Sequence, residues 1–261
     1  MKKINGKCAL CGKVCDLTFE HIPPRVALNS SRSKQYKGID FLKNDHRMIW
    51  ETEGMRYIIQ QKGKGLYSLC SECNNNTGSF YGSAYFEFVK RAIILKNSSI
   101  PDNCSIVEFK QIHPLRIIKQ ICSMFCSINP NMEYMDDIRH FVLNKESTQF
   151  DKNKYRIQMY FNYGALTKYN GYTCEVSIGG PTIELSELLV PPFGFQLIYD
   201  PNSSIKYQGV DITCFVDFQY DEIADIGIPI IIKDVNNIFP NDYRTAEEIR
   251  ACILQSEKGI Q

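Results

Sequence analysis

Cys8-Ala9-Leu10-Cys11, near the start of the chain, and Cys70-Ser71-Glu72-Cys73-Asn74, farther on, decide how the first third of this sequence is read. Each is a C-x2-C knuckle able to present two thiolates to one ion while the backbone turns beneath them, and two such pairs make a closed tetrahedral site suited to structural zinc. The interval between the pairs is much longer than in a short zinc ribbon. The chain between them therefore loops out with structure or function of its own, and it carries Glu20-His21-Ile22-Pro23-Pro24. Buried thiols and a redox-active pair are weaker readings of the knuckles, since no βαβ pattern surrounds Cys8. Cys15 fits neither pair. Cys104, Cys122, Cys126, Cys174, Cys214 and Cys252 sit in apolar patterns and read as small core residues.

The chain has 261 residues, enough for one large domain or two ordinary ones, and its composition is that of a globular protein. No apolar run approaches the roughly 20 residues that span a bilayer, and the first residues lack the apolar stretch of a signal peptide, so a cytoplasmic protein without a membrane partner is expected. The 11 cysteines are an odd number, which with that location argues against a disulfide framework. Charge is unevenly placed. Residues 1–100 carry 16 Lys+Arg against 8 Asp+Glu, a net +8, whereas the remaining 161 residues carry 14 against 21, a net −7. A basic part joined to an acidic part is the asymmetry of a chain in which one domain meets a polyanion.

Residues 1 to about 82 are rich in Gly, Lys, Asn and Ser, with short apolar runs between turn signals, and need an external staple. Ser83–Leu95 has helical spacing. Lys96–Asn103 is a polar, Pro-containing break, which divides the chain into a module at 1–97 and a second domain at 104–261. In the second domain His113–Ile128 and Tyr134–Leu143 are helix candidates. Tyr155–Phe161, Thr173–Ile178, Phe195–Tyr199, Ile212–Phe218 and Ile228–Ile232 read as strands, and Pro191-Pro192-Phe193-Gly194 as a turn. Thr245-Ala246-Glu247-Glu248 is a capping box opening a last helix. The expected class is α+β, with a mostly antiparallel sheet.

The order C-x2-C, acid-His with an apolar-Pro stretch, then C-x2-C-Asn and a Gly at Gly78, resembles the zinc-bearing branch of the HNH endonucleases, whose catalytic unit is a ββα-metal fold. The resemblance covers the first third of the chain. It implies His21 as general base, Glu20 as a ligand of a catalytic divalent ion, and Asn74 as the helix ligand of that ion, with Asn75 or Asn76 as substitutes in another register. Phosphodiester hydrolysis near pH 7 suits an imidazole base, and oxygen ligands suit Mg2+ or Mn2+ where thiolates suit zinc. Where many relatives have a His-orienting Asn, this chain reads Gly65-Leu66-Tyr67-Ser68-Leu69, and Arg25–Lys64 lengthens the interval; Asn44, Asp45 and His46 lie in that insertion. Lys2, Lys3, Lys7, Lys13, Arg25, Arg32, Lys34, Lys37, Arg56, Lys62 and Lys64 could follow a nucleic-acid backbone without reading sequence.

The leading expectation is thus an endonuclease acting on double-stranded DNA, in a setting of bacterial antiviral defence. The acidic C-terminal domain would regulate, dimerise or dock a protein partner. The alternatives are a non-catalytic zinc module binding nucleic acid or protein, and a C-terminal ligand sensor with the zinc module as its output.

Overall fold

The computed structural model describes residues 4–43, 48–96, 106–176, 182–201 and 207–258. Lys2, Lys3, Asn44, Asp45, His46, Cys104 and the expected break beyond Lys96 lie outside them.

The expected α+β class holds, with five helices and antiparallel sheets among the described residues. Strands β1 (Ile4–Lys7), β2 (Val14–His21) and β5 (Gly65–Cys70) form a three-stranded sheet in the order β1-β2-β5. The insertion between β2 and β5 folds into a small β3 (Ser33–Gln35) and β4 (Ile58–Gln60) ribbon with the short helix α1 (Gly38–Leu42). The first 82 residues are therefore more regular than their composition implies. Helix α2 runs Ser71–Lys96 and starts a dozen residues before the apolar period becomes visible.

Strand β6 (Ile106–Ile112) pairs with β12 (Ala224–Pro229), and between them come α3 (Pro114–Ile128) and α4 (Asp136–Leu143). Pro114, in the first turn of α3, costs nothing there because that N–H has no helical acceptor. The main sheet comprises β7 (Tyr155–Phe161), β8 (Lys168–Val176), β9 (Thr182–Val190), β10 (Phe193–Tyr199) and β11 (Val210–Asp211), in the order β11-β7-β10-β9-β8, every pairing antiparallel. The chain closes with α5 (Ala246–Lys258), whose capping box is made: Glu248 N–H donates to Thr245 Oγ1 (3.1 Å) and Thr245 N–H to Glu248 Oε2 (2.7 Å).

Two expectations are corrected. Ile212–Phe218 is not a strand; Thr213–Asp217 is a 3-10 turn, opened by Thr213 N–H donating to Asp211 Oδ1 (2.8 Å). Cys174, Cys214 and Cys252 are exposed rather than core, whereas Cys122 and Cys126 on α3 are buried as read.

A single apolar cluster joins the residues before and after the break. At its centre Phe88 of α2 stacks on Phe193 of β10 with ring centroids 4.7 Å apart and lies 4.6 Å from Phe109 of β6. Polar ties reinforce the contact. Tyr81 donates to Val142 O (2.6 Å), Arg139 Nε to Ala9 O (2.9 Å), and Tyr169 to Ile22 O. The other face of the main sheet is covered by residues 230–243, held by Asn162 to Lys233 O and Asn170 to Ile238 O, both at 2.8 Å.

Candidate functional site

The first knuckle is a tight turn. Gly12 N–H donates to Cys8 O (3.0 Å) with Gly12 at φ +72°, a conformation that glycine adopts without strain. Ala9 N–H donates to Ser68 O (2.8 Å), which ties the knuckle to β5. The second knuckle straddles the end of β5 and the first turn of α2. The sulfurs of Cys8, Cys11, Cys70 and Cys73 all lie within 4.8 Å of one another. Zn–S bonds of about 2.3 Å place tetrahedral sulfurs about 3.8 Å apart, and Cys11 and Cys70 stand 3.8 Å apart. Cys70 N–H points at Cys8 Sγ (3.3 Å) and Cys73 N–H at Cys70 Sγ (3.4 Å), as thiolate acceptors require. The cluster could hold a metal such as zinc, and among the described residues it is the only group of three or more His, Cys, Asp or Glu side chains so arranged. Cys15 stands outside it.

The remaining expected site residues lie along β2 and the start of α2. Asn74 is half-buried, and its amide nitrogen donates to Thr18 Oγ1 (2.9 Å) and Phe19 O (3.2 Å), leaving its carbonyl oxygen without a partner among the described residues. Asn75 and Asn76 are exposed. Of the three asparagines, Asn74 is thus the one docked on the strand bearing Glu20 and His21.

Glu20 is 5% exposed and its carboxyl has no hydrogen bond or ion pair among the described residues; burial alone pushes it up to about 8. Its carbonyl sits so close to β5 that a Cβ at Gly65 would fall 1.9 Å from it, so position 65 must be glycine. His21 ends the strand. Its ring meets Phe19 edge-on at 5.1 Å, Phe19 meets Tyr67 at 5.4 Å, and its Nε2 lies 2.8 Å from Lys62 O. Strand alternation puts Phe19 and His21 on one face and Thr18 and Glu20 on the other. Glu20 and Asn74 therefore share the helix-facing side, whereas the His21 ring lies with Phe19 and Tyr67.

Sequence reasoning missed what holds His21. The ring is oriented by a backbone carbonyl, Lys62 O, and no side-chain signal can report that. It also missed Asn29, whose side chain donates to Pro23 O (2.6 Å) and Lys64 O (2.7 Å) and accepts from Lys64 N–H (2.7 Å), fixing the chain on either side of His21. Arg25, Arg32, Lys34, Lys37, Arg56 and Lys62 are exposed. Among the described residues no helix is long and apolar enough to cross a membrane. No family model, no curated protein and no solved structure matches the chain.

Proposed function

We propose that the chain is a metal-dependent endonuclease of HNH type that hydrolyses phosphodiester bonds in DNA, with zinc as a structural staple in the four-cysteine cluster. The observation carrying this reading is the order of elements at that cluster. Strand β5, paired antiparallel with β2, runs without a break into α2, and Asn74 of the helix is bonded to the strand that ends in Glu20-His21. When Nε2 of His21 donates to Lys62 O, Nδ1 keeps the lone pair that a general base needs. Glu20 and the free carbonyl oxygen of Asn74 offer hard oxygen donors, and an otherwise unpartnered buried carboxyl fits a cation. Mg2+ or Mn2+ held there would neutralise charge on the scissile phosphate and the leaving oxygen. The exposed cations of the insertion would hold the strand by its phosphates. In this reading the acidic C-terminal part regulates, dimerises or docks a partner, in a cytoplasmic defence system.

The alternation of β2, which separates the His21 ring from Glu20, favours a second reading: a zinc-held nucleic-acid or protein-binding module without turnover. Plasmid nicking with added Mg2+ or Mn2+, wild type against His21→Ala at matched zinc content, separates the two. The nuclease reading expects wild-type cleavage and a loss of about a hundredfold or more in the variant. Inert protein of full zinc content that still retards DNA would establish the binding module instead.

A further inference from the structure

Between the insertion and the main sheet lies a cleft of about 990 Å³, floored by Val89 and Ile93 of α2, Ile128 of α3 and Val190 of β9. Its walls carry Arg32, Lys34, Lys37, Lys64 and Lys168, and no Asp or Glu lines it. Lys168 is neutralised inside the protein, 2.9 Å from Glu187 Oε2. The other four have no carboxylate partner among the described residues. Lys34 lies over the Tyr57 ring at 4.5 Å, and Arg32 and Lys37 are exposed.

Lys64 is built into the wall. Asn29 clamps its backbone from both sides, and Gly63 before it takes φ +108° where a Cβ would fall 2.3 Å from Asn29 O. Its ammonium reaches Thr167 Oγ1 (2.8 Å) across the cleft. Burial depresses the Lys64 pKa with no acid to restore it, the condition that an incoming anion relieves. Tyr36 and Tyr169 add aromatic surface.

We propose that this cleft binds a nucleotide, its phosphates held by Arg32, Lys37 and Lys64 and its base lodged against the apolar floor and the tyrosines. The volume is that of a small-molecule site and far exceeds inorganic phosphate, and an apolar floor under unopposed cations matches an anion with a planar apolar part. Leu66, the strand partner of Glu20, lines the cleft, and the His21 ring lies on the opposite face of β2. Occupancy therefore does not depend on whether His21 turns over a substrate. The nucleotide could be free or part of a strand.

The test is calorimetric titration of the zinc-loaded full chain, in wild-type and His21→Ala forms, with ATP, inorganic phosphate and a short 5′-phosphorylated oligothymidylate. Arg32→Gln/Lys37→Gln and Lys64→Gln are compared with Lys110→Gln, a residue of β6 outside the cleft. The proposal expects ATP or the oligonucleotide to bind, phosphate to bind far more weakly, and each cleft variant to lose about tenfold or more in affinity while Lys110→Gln is unchanged. ATP binding identifies a free nucleotide as the ligand; binding of the oligonucleotide alone identifies a strand. Absence of binding by both, or equal weakening by Lys110→Gln, overturns the proposal. Should Lys64→Gln lose zinc or fold, the exposed Arg32/Lys37 pair decides.

Discussion

Each of the two main sheets buries one glutamate, and the two are treated in opposite ways. In the five-stranded sheet, Glu187 is fully buried with Lys168 Nζ 2.9 Å from one oxygen, and its other oxygen accepts from Tyr243 (2.6 Å) and Tyr160 (3.2 Å). In the three-stranded sheet, Glu20 is 5% exposed and has no partner among the described residues. A buried carboxylate with a matched ammonium and two hydroxyl donors is part of the scaffold, and here it fastens residues 230–243 over the sheet. A buried carboxyl without any of these holds a desolvation cost that protonation relieves. The sheets differ likewise in what holds them. Strands β7 and β10 are buried along nearly their whole length, whereas β1 and β2 are mostly exposed or half-buried and lie beside the four-cysteine cluster.

The largest effect is expected at the staple. Cys70→Ser, or zinc removal by a chelator, should unfold β1, β2, β5 and the first turn of α2, since structural zinc supplies on the order of 10 kcal/mol to small zinc-held modules. Amide hydrogen exchange should show protection lost in those strands and retained in β7, β9 and β10. Equal loss in both sheets would erase the distinction between stapled and packed halves, and make the shared core around Phe88 the dominant element instead. Next comes the paired acid. Glu187→Gln leaves the Lys168 ammonium buried without its counter-charge and should cost about 3–5 kcal/mol in chemical denaturation, without zinc loss. A cost below about 1 kcal/mol would mean that water reaches the pair and that it is not a scaffold element.

How much of this was legible depended on whether the determining contacts were local. The knuckles could be read because two cysteines three apart are a local geometric statement, and β7 and α3 because their periods are. Strand β9 was invisible: Glu184, Ser186 and Glu187 break its pattern, and each is accommodated by partners far off in sequence, Ser186 by Asn129 and Tyr199 on one face and Glu187 by Tyr243, Tyr160 and Lys168 on the other, with Glu184 accepting from Tyr172. Ile212–Phe218 has strand-like side chains, but Asp211 captures the Thr213 N–H and turns the chain. The first turns of α2, Ser71-Glu72-Cys73-Asn74-Asn75-Asn76-Thr77-Gly78, are poor helix formers held by the cysteine cluster and by Thr77 Oγ1 donating to Cys73 O (3.0 Å). At the candidate site, Glu20, His21 and Asn74 could be named, but the face each occupies, the carbonyl that orients His21 and the cleft walls belong to the assembled structure.

The smallest expected effect has the opposite sign to that at Glu187 and is the sharpest check on the contrast. In the folded protein the Glu20 carboxyl titrates at about 8 because of burial, against 4.5 ordinarily. Below the unfolded value both states are protonated, and the neutral acid costs the fold nothing extra. As pH rises toward and through 8 the unfolded chain gives up the proton first, so stability is progressively lost across that window. Glu20→Gln cannot ionise. In buffer free of Mg2+ and Mn2+ it should therefore match the wild type at pH 4.5 and exceed it at neutral pH by on the order of 3 kcal/mol in denaturant titrations. Adding Mg2+ should stabilise the wild type and leave Glu20→Gln unmoved if the carboxylate receives a cation. A Glu20→Gln variant less stable than the wild type at pH 8 would show that Glu20 is satisfied in the fold, and the two buried acids would then be alike.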